Sequence, residues 1–285
     1  MRCFHPITVR GPDYTGPVPC GKCFACQSNR RKDWHMRIKY EMLTNLQSYT
    51  VTLTYDDEHL PEKEYFVDFD PIKNPSKHGF WYHPIKVEHV QLFFKRLRKS
   101  GLSFRYFGVG EYGGKTARPH YHIIFFFHDP LDKLRFSDLV FKNWPYGIQI
   151  VIDETNDDCI GYTLKYCLKM YNSINPSPKV FCSKRPFIGD GYMKETTVKH
   201  LRTHVGDIVN TISGSIRLPR IYRDKIYDDN MKESNKSLLM DILNSNRQKL
   251  EFKCIERGIS VEDYEFQKRV SFTNKCIQSI KKKKL

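Results

Sequence analysis

The sequence predicts an α+β fold, an antiparallel sheet with helices on one face. Four short runs of β-branched and aromatic residues read as strands. The stretches around them carry apolar residues at helical spacing. The order of these elements along the chain, with two strands joined by a Gly-rich turn, suggests antiparallel pairing.

Residues 1–26 are rich in Gly, Pro and Cys and read as loop. From Cys26 to about Leu46, Trp34, Ile38, Met42 and Leu46 recur at i+4 and define one helical face. Arg30, Arg31, Lys32, Arg37 and Lys39 make the rest of that helix basic. Ser48–Tyr55 alternates like a strand and ends in Asp56-Asp57-Glu58. Residues 56–84 hold four prolines without a clear period and read as a long excursion. A helix follows from about Ile85 to Lys99, with Val90, Phe93, Phe94 and Leu97 as its face and Ser100-Gly101 as its stop. Its last turns carry Lys95, Arg96, Arg98 and Lys99, where cations suit the helix dipole.

Phe104–Gly110 is the second strand, Glu111–Pro119 a turn, and His120–His128 the third strand. A short helix covers Leu134–Asn143, and Gly147–Asp153 is the fourth strand. Asn156 or Asp157 then caps a helix to about Tyr171. Asn172–Arg202 reads as loop, Thr203–Val209 as a short helix, and Ser213–Pro219 as a turn-rich exit. From about Asp224 the composition is that of polar helix, closing in the lysine run Lys281–Lys284.

Charge is the strongest compositional signal. Lys and Arg number 47 against 32 Asp and Glu, a formal +15. Such an excess attracts polyanions, nucleic acid first and a membrane surface second. No long basic amphipathic helix supports the membrane, and a merely soluble basic protein is the plain alternative. Aromatic residues at 14% argue against disorder. No run approaches the roughly 18 apolar residues of a membrane span, and residues 1–16 lack the apolar segment of a secretory signal. Nine cysteines, an odd number without an export signal, point to a reducing compartment rather than a disulfide framework.

Three clusters carry chemistry. His120 and His122 sit two apart on a strand, so both point to one face, about 7 Å apart along it. Two such imidazoles can hold one divalent cation, and a hairpin would bring Glu111 beside them as a third ligand. On its own a His-x-His pair is more often incidental. In CIGYTLKYCLKMY, residues 159–171, Ile160, Leu164, Cys167 and Leu168 form one helical face. Tyr162, Tyr166 and Lys169 form another, with Lys165 at its edge. A neighbouring ammonium favours the phenolate and offsets charge on a phosphate. Taken alone, this helix reads more simply as a solvated polar face. Cys20, Cys23 and Cys26 form C-x2-C-x2-C, and with Cys3 they suit a tetrahedral zinc site. Free thiols and an iron–sulfur cluster are the alternatives, the latter lacking its full Cys run.

A Thr-rich strand, then His-x-His, then a helix with Tyr-x-x-x-Tyr and lysines resembles the three motifs of the HUH endonucleases: Tyr49–Tyr55, Pro119–Ile124 and Tyr162–Lys169. Tyr121 departs from the aliphatic residue usual between the histidines. PCGKCFACQSNRRKDW, GEYGGKTARPHYH, GYTLKYCLKM and LPRIYRDK together resemble the replication initiators of gokushovirus-type Microviridae over roughly residues 1–227. The resemblance implies an RRM-like sheet of about five antiparallel strands with helices packed on it. Three regions are expected: a Cys-rich zinc knuckle and basic helix (1–46), the endonuclease core of the resemblance (47–227), and a basic helical extension (228–285) that lies beyond it and is read from composition.

The resemblance also implies Mg2+ or Mn2+ at His120, His122 and Glu111, attack by Tyr162 or Tyr166 on single-stranded origin DNA, and charge stabilisation by Lys165 and Lys169. The products are a 5′-phosphotyrosine and a 3′-OH primer, rejoined after one round by the second tyrosine. A host helicase and polymerase would be partners, in the bacterial cytoplasm. The rivals are a non-catalytic zinc-containing nucleic-acid-binding protein and an HUH transposase or relaxase.

Overall fold

The computed structural model describes residues 3–11, 15–70, 74–113, 116–167, 179–194, 197–199, 201, 208–211 and 214–282. It is α+β, and all its strand pairs are antiparallel. In chain order, β1 (Ile7–Arg10) and β2 (Thr15–Val18) precede α1 (Phe24–Leu43) and β3 (Gln47–Thr54). Next come β4 (Glu64–Asp70), β5 (Asn74–Tyr82), α2 (Val87–Lys99), β6 (Arg105–Tyr112) and β7 (Pro119–Phe127). They are followed by α3 (Lys133–Asn143), β8 (Gln149–Glu154), α4 (Asp157–Cys167) and β9 (Lys179–Cys182). The chain closes with β10 (Ile208–Thr211), β11 (Gly214–Arg217), α5 (Arg220–Ile226), α6 (Asp229–Glu256) and α7 (Val261–Lys282). None of these helices is long and apolar enough to cross a membrane.

Two compact units divide the chain, Trp34–Gly191 and Met1–Asp33 with Tyr192–Leu285. The cysteine segment and the C-terminal helices fall in the second of these. Within that unit Phe4 meets Phe272 of α7 edge-on, with ring centroids 6.1 Å apart.

In the Trp34–Gly191 unit the main sheet runs in the order β8-β3-β7-β6-β9. Its middle strand, PHYHIIFFF, is apolar on both faces because both are covered. Tyr121, Ile123, Phe125 and Phe127 pack against Val90, Phe93, Phe94 and Leu97 of α2 and Phe136 and Val140 of α3. Ile124 and Phe126, with Phe107 and Val109 of β6, pack against Ile38 of α1 and Ile160 and Leu164 of α4. Helices therefore cover both faces, which corrects the one-sided arrangement expected. Each buried ring or branched chain here contributes about 1.5–3 kcal/mol from area removed from water.

Local chemistry sets the helix ends. Asp132 caps α3 by accepting from the Arg135 amide at 2.9 Å, and Asn156 caps α4 by accepting from Cys159 at 2.9 Å. Gly101, at φ 87°, closes α2 where the Leu102 amide donates back to Leu97. α2 starts at Val87 rather than Ile85: Lys86 is extended, at φ −93° and ψ 94°, and the Ile85 and Lys86 amides donate to the hydroxyls of Tyr112 and Tyr121.

Several stretches expected as loop are paired strands. β1 and β2 form a hairpin inside residues 1–26, and β4 and β5 form another inside the 56–84 excursion. β9 adds an edge to β6 within residues 172–202. β10 pairs with β11, so Ile208 and Val209 are strand and not the end of a short helix, and 214–217 are strand rather than turn. α1 ends before Leu46, which is 75% exposed and extends no helical face. The part of the expected α4 beyond Cys167 lies outside the described residues.

Candidate active site

Strand register assembles the site. His120 stands opposite Thr54 of β3 and Glu111 of β6, and His122 stands opposite Thr52 and Val109. Alternation puts both histidines on the α4 face, where Ile124 and Phe126 also point. Glu111 shares that face with Phe107 and Val109. The strand pairing thus brings Glu111 back beside the histidines, as a hairpin requires.

The polar groups are deeply set. His122 is 3% exposed and Glu111 4%. The Glu111 carboxylate lies 3.6 Å from His122 Nε2, and His122 Nδ1 lies 3.1 Å from Thr52 Oγ1. His120 Nδ1 donates to the Arg118 carbonyl at 2.6 Å, which puts the ring's lone pair on Nε2. That same carbonyl accepts from the Gly113 amide at 2.9 Å. A Cβ at Gly113 would stand 3.0 Å from His120 Cε1, so the ring rests where a side chain would otherwise be. The Arg118 guanidinium donates to the Tyr55 carbonyl at 2.7 Å and pairs with Asp57, tying the turn to the end of β3.

Tyr121 points to the opposite face. Its hydroxyl donates to the Lys86 carbonyl and accepts from the Lys86 amide, each at 3.0 Å. Tyr55 Oη lies 2.9 Å from both Tyr121 Oη and His89 Nδ1. Burial pushes both phenols well above the ordinary tyrosine range. The departure from an aliphatic residue at 121 therefore anchors the histidine strand to the start of α2.

From α4, Ile160 and Leu164 enter the core, while Tyr162 turns to the histidines. The Tyr162 ring is 5.3 Å from that of His122 at 86°, and the residue is 39% exposed. This combines contact with the imidazole and access from solvent. Lys165 lies half-buried one turn further along. Tyr166 is on the last turn of α4, and its side chain and Lys169 lie outside the described residues. Two imidazole nitrogens and a carboxylate oxygen are a donor set that could hold a divalent cation. These three groups are less tightly gathered than the thiols described next.

The four cysteines come together at Cys3, Cys20, Cys23 and Cys26, where all ligand atoms lie within 4.8 Å of one another. Cys3 and Cys23 sulfurs are 3.8 Å apart. Sulfurs placed tetrahedrally at about 2.3 Å from zinc are separated by about that distance. The Cys23 amide donates to Cys20 Sγ at 3.4 Å, the Cys20 amide to Cys3 Sγ at 3.2 Å, and the Phe4 amide to Cys23 Sγ at 3.4 Å. Donation from the Cys23 and Lys22 amides brings the Cys20 thiol down to about 6. Burial opposes ionisation at Cys23, but amide donation from Phe4 and Cys26 leaves it below the ordinary range. Burial pushes the Cys26 thiol up to about 12 in the absence of metal. Low-lying thiols held by amides are what a structural zinc ion needs.

Residues 48–171 match the family of replication-associated proteins of the ORF2 type. That range holds β3, the histidine strand and α4. The match covers less than half of the chain. Among relatives, the replication-associated protein ORF2 of Spiroplasma virus 4 is 28% identical over 255 residues, which is 78% of this chain and 73% of that one. The replication-associated protein VP4 of Bdellovibrio phage phiMH2K is 28% identical over 267 residues, covering 79% of this chain and 76% of its own length. The replication-associated protein ORF4 of Chlamydia phage 1 is 27% identical over 178 residues, 55% of this chain and 39% of that protein. A solved structure, the hypothetical protein ORF119 of Sulfolobus islandicus rod-shaped virus 1, aligns at 17% identity over 51% of this chain and 99% of its own. Its TM-score of 0.29 is too low to equate the two folds.

Two contributors escaped sequence reasoning. Thr52 touches His122 only because β3 pairs with β7 in this register, although the alternation of Thr50, Thr52 and Thr54 with Val51 and Leu53 marks a polar face. Gly113 looked like a turn glycine, yet its missing side chain is what seats the His120 ring.

Proposed function

We propose that this protein is a phage replication-associated protein that initiates rolling-circle replication as a metal-dependent HUH endonuclease and strand transferase acting on single-stranded origin DNA. The contact of Tyr162 with His122, across from the buried Glu111, carries the reading. It joins a solvent-accessible nucleophile to a set of metal-ligand side chains on one face of one sheet. An antiparallel sheet with the histidines on its central strand and the tyrosines on a following helix is compatible with the RRM-like plan implied for that superfamily.

A divalent cation held by His120, His122 and Glu111 would supply Lewis-acid polarisation of the scissile phosphate. Tyr162 Oη forms a bond to phosphorus and loses its proton to solvent. The P–O3′ bond breaks, and the departing 3′ oxygen takes up a proton to become the primer hydroxyl. The DNA 5′ end stays on tyrosine as a phosphodiester, so the later joining step needs no nucleotide triphosphate. Lys165 adds positive charge beside the phenol, and Lys169 takes the same part for Tyr166, the second nucleophile that closes the cycle. The Arg118 carbonyl and Thr52 hold the imidazole rings in orientation. Zn2+ at Cys3, Cys20, Cys23 and Cys26 is proposed as a structural ion. The +15 charge suits phosphate binding, and a host helicase and polymerase would act on the primed strand in the host cell.

The test is cleavage of single-stranded origin oligonucleotides with added Mg2+ or Mn2+. The His120→Ala/His122→Ala protein should bind DNA near normally and cut none. Full cleavage by that double variant removes the metal site from the reaction, and binding without cleavage by the natural protein favours the non-catalytic nucleic-acid-binding reading.

A further inference from the structure

The hairpin formed by β4 and β5 presents an aromatic pair to solvent. Tyr65 and Trp81 stand opposite each other in register, with ring centroids 5.3 Å apart at 54°. Tyr65 is 54% exposed and Trp81 66%. A soluble protein gains nothing for its own core by holding an indole in water, since burying such a ring is among the larger contributions a side chain can make. The sequence contains two other tryptophans, and both pack inward: Trp144 is buried in the main core, and Trp34 lies against Phe107.

The pair has a fixed base. Tyr82, the residue after Trp81, meets Tyr112 edge-on at 6.0 Å, and Tyr112 directly follows Glu111 in β6. Tyr82 also donates to Glu64 at 3.3 Å, and Lys86 pairs with Glu64 at 2.8 Å. Lys179, which stands opposite Gly110 at the same end of the sheet, donates to the Ile85 carbonyl. The hairpin base is thus tied to the end of the sheet that carries Glu111 and His120. On the rings' own face of the hairpin the neighbouring charge is the exposed Lys63, two residues before Tyr65, whereas Tyr82 and the Lys86–Glu64 pair lie on the other face. Exposed aromatic rings with a lysine beside them are a combination with which single-stranded nucleic acid is held: the rings stack on bases, and ammonium groups meet phosphates.

We propose that Tyr65 and Trp81 form a stacking platform for bases of single-stranded DNA flanking the cleaved phosphate. The proposal rests on the reading of the chain as an initiator acting on single-stranded DNA, and it adds a site that binds bases by their faces. Stacking tolerates any base, so the platform holds the strand without reading its sequence. Neither residue touches the reacting groups, and their part is to retain the substrate.

The test uses the full chain and a fluorescently labelled oligothymidylate in metal-free buffer, with affinity read by anisotropy. Trp81→Ala should weaken binding at least about fivefold, and Trp81→Phe, which keeps a stacking face, should recover most of the loss. Intrinsic fluorescence gives a second readout: the oligonucleotide should quench the natural protein strongly and Tyr65→Ala nearly as strongly, because Trp81 is the exposed indole. Cleavage at saturating oligonucleotide should be unchanged in both alanine variants. If Trp81→Ala binds as tightly as the natural protein, or if the natural protein binds without quenching, the platform is refuted while the nuclease reading stands. If the natural protein binds no single-stranded DNA at all, both fall.

Discussion

Replacing Glu111 by Gln removes one charge from the proposed metal site while keeping its volume. The carboxylate oxygen lies 3.6 Å from His122 Nε2, close enough for one cation to touch both, and even a unit charge about 4 Å from the carboxylate would interact with it by about 4 kcal/mol at an effective dielectric near 20. Desolvation of the buried carboxylate offsets part of this, leaving a realised loss on the order of 2–3 kcal/mol. That corresponds to metal affinity about thirty to 150 times weaker. Titrating Mn2+ into Glu111→Gln while following oligonucleotide cleavage should therefore shift the half-saturating concentration by that factor. DNA affinity in metal-free buffer should stay within about twofold, because it comes from phosphate contacts elsewhere. Thermal stability should hold or rise, since a neutral amide is easier to bury than a carboxylate. A Gln variant with the same Mn2+ requirement as the natural protein would refute the assignment of Glu111 as a ligand.

Other perturbations bear on separate parts of the molecule. The purified protein should contain one zinc per chain by elemental analysis, and Cys20→Ser should lose most of it and melt earlier; a zinc-free natural protein with four titratable thiols in this segment would contradict the site. Burial holds His89 below the ordinary imidazole range, so its neutral form is favoured in the fold. The resulting stability is complete above the ordinary value and is lost as pH falls through the lowered one. Melting temperature should thus drop more between neutrality and about pH 5 in the natural protein than in His89→Gln, and parallel curves would exclude His89 as the source. Gly147 sits at φ 146°, where a Cβ would stand 2.3 Å from the Asp56 amide nitrogen and 2.8 Å from the Thr54 carbonyl oxygen. Backbone cannot yield as a side chain can, so Gly147→Ala should cost more than about 3 kcal/mol in a denaturant titration, and a near-neutral change would show the turn to be adaptable.

Much of the central sheet was legible because its strands are long and apolar enough to declare their period. HYHIIFFF reads as a central strand, and the Thr alternation of β3 reads as a half-polar one. The hairpin logic that placed Glu111 beside the histidines needed only the short turn between β6 and β7. The cysteine spacing likewise foretold a cluster, since Cys-x2-Cys-x2-Cys with one upstream thiol has few other compact solutions.

The short edge and hairpin strands were less legible. Pro17 lies within β2 and Pro75 within β5, and proline reads as a breaker although two-stranded hairpins tolerate it at their edges. β9 has four residues, too few to show a period, and becomes a strand by pairing with β6. Helix placement on both faces is implicit in the two-sided apolar run of β7, but a linear pattern does not say that α1 and α4 cover the second face. Thr52 and Gly113 act through cross-strand and through-space neighbours, which a linear pattern does not contain.

The most direct test of the nuclease account is to trap the reaction and locate the bond. Incubated with Mn2+ and a single-stranded origin oligonucleotide, the protein should form a covalent adduct whose tryptic peptide carries a 5′-phosphonucleotide on Tyr162 or Tyr166. The Tyr162→Phe/Tyr166→Phe protein should form none, and at least one single variant should still nick without releasing closed circles. Covalent capture by the double variant, or an adduct mapped outside α4 and the residues that follow it, would contradict the account.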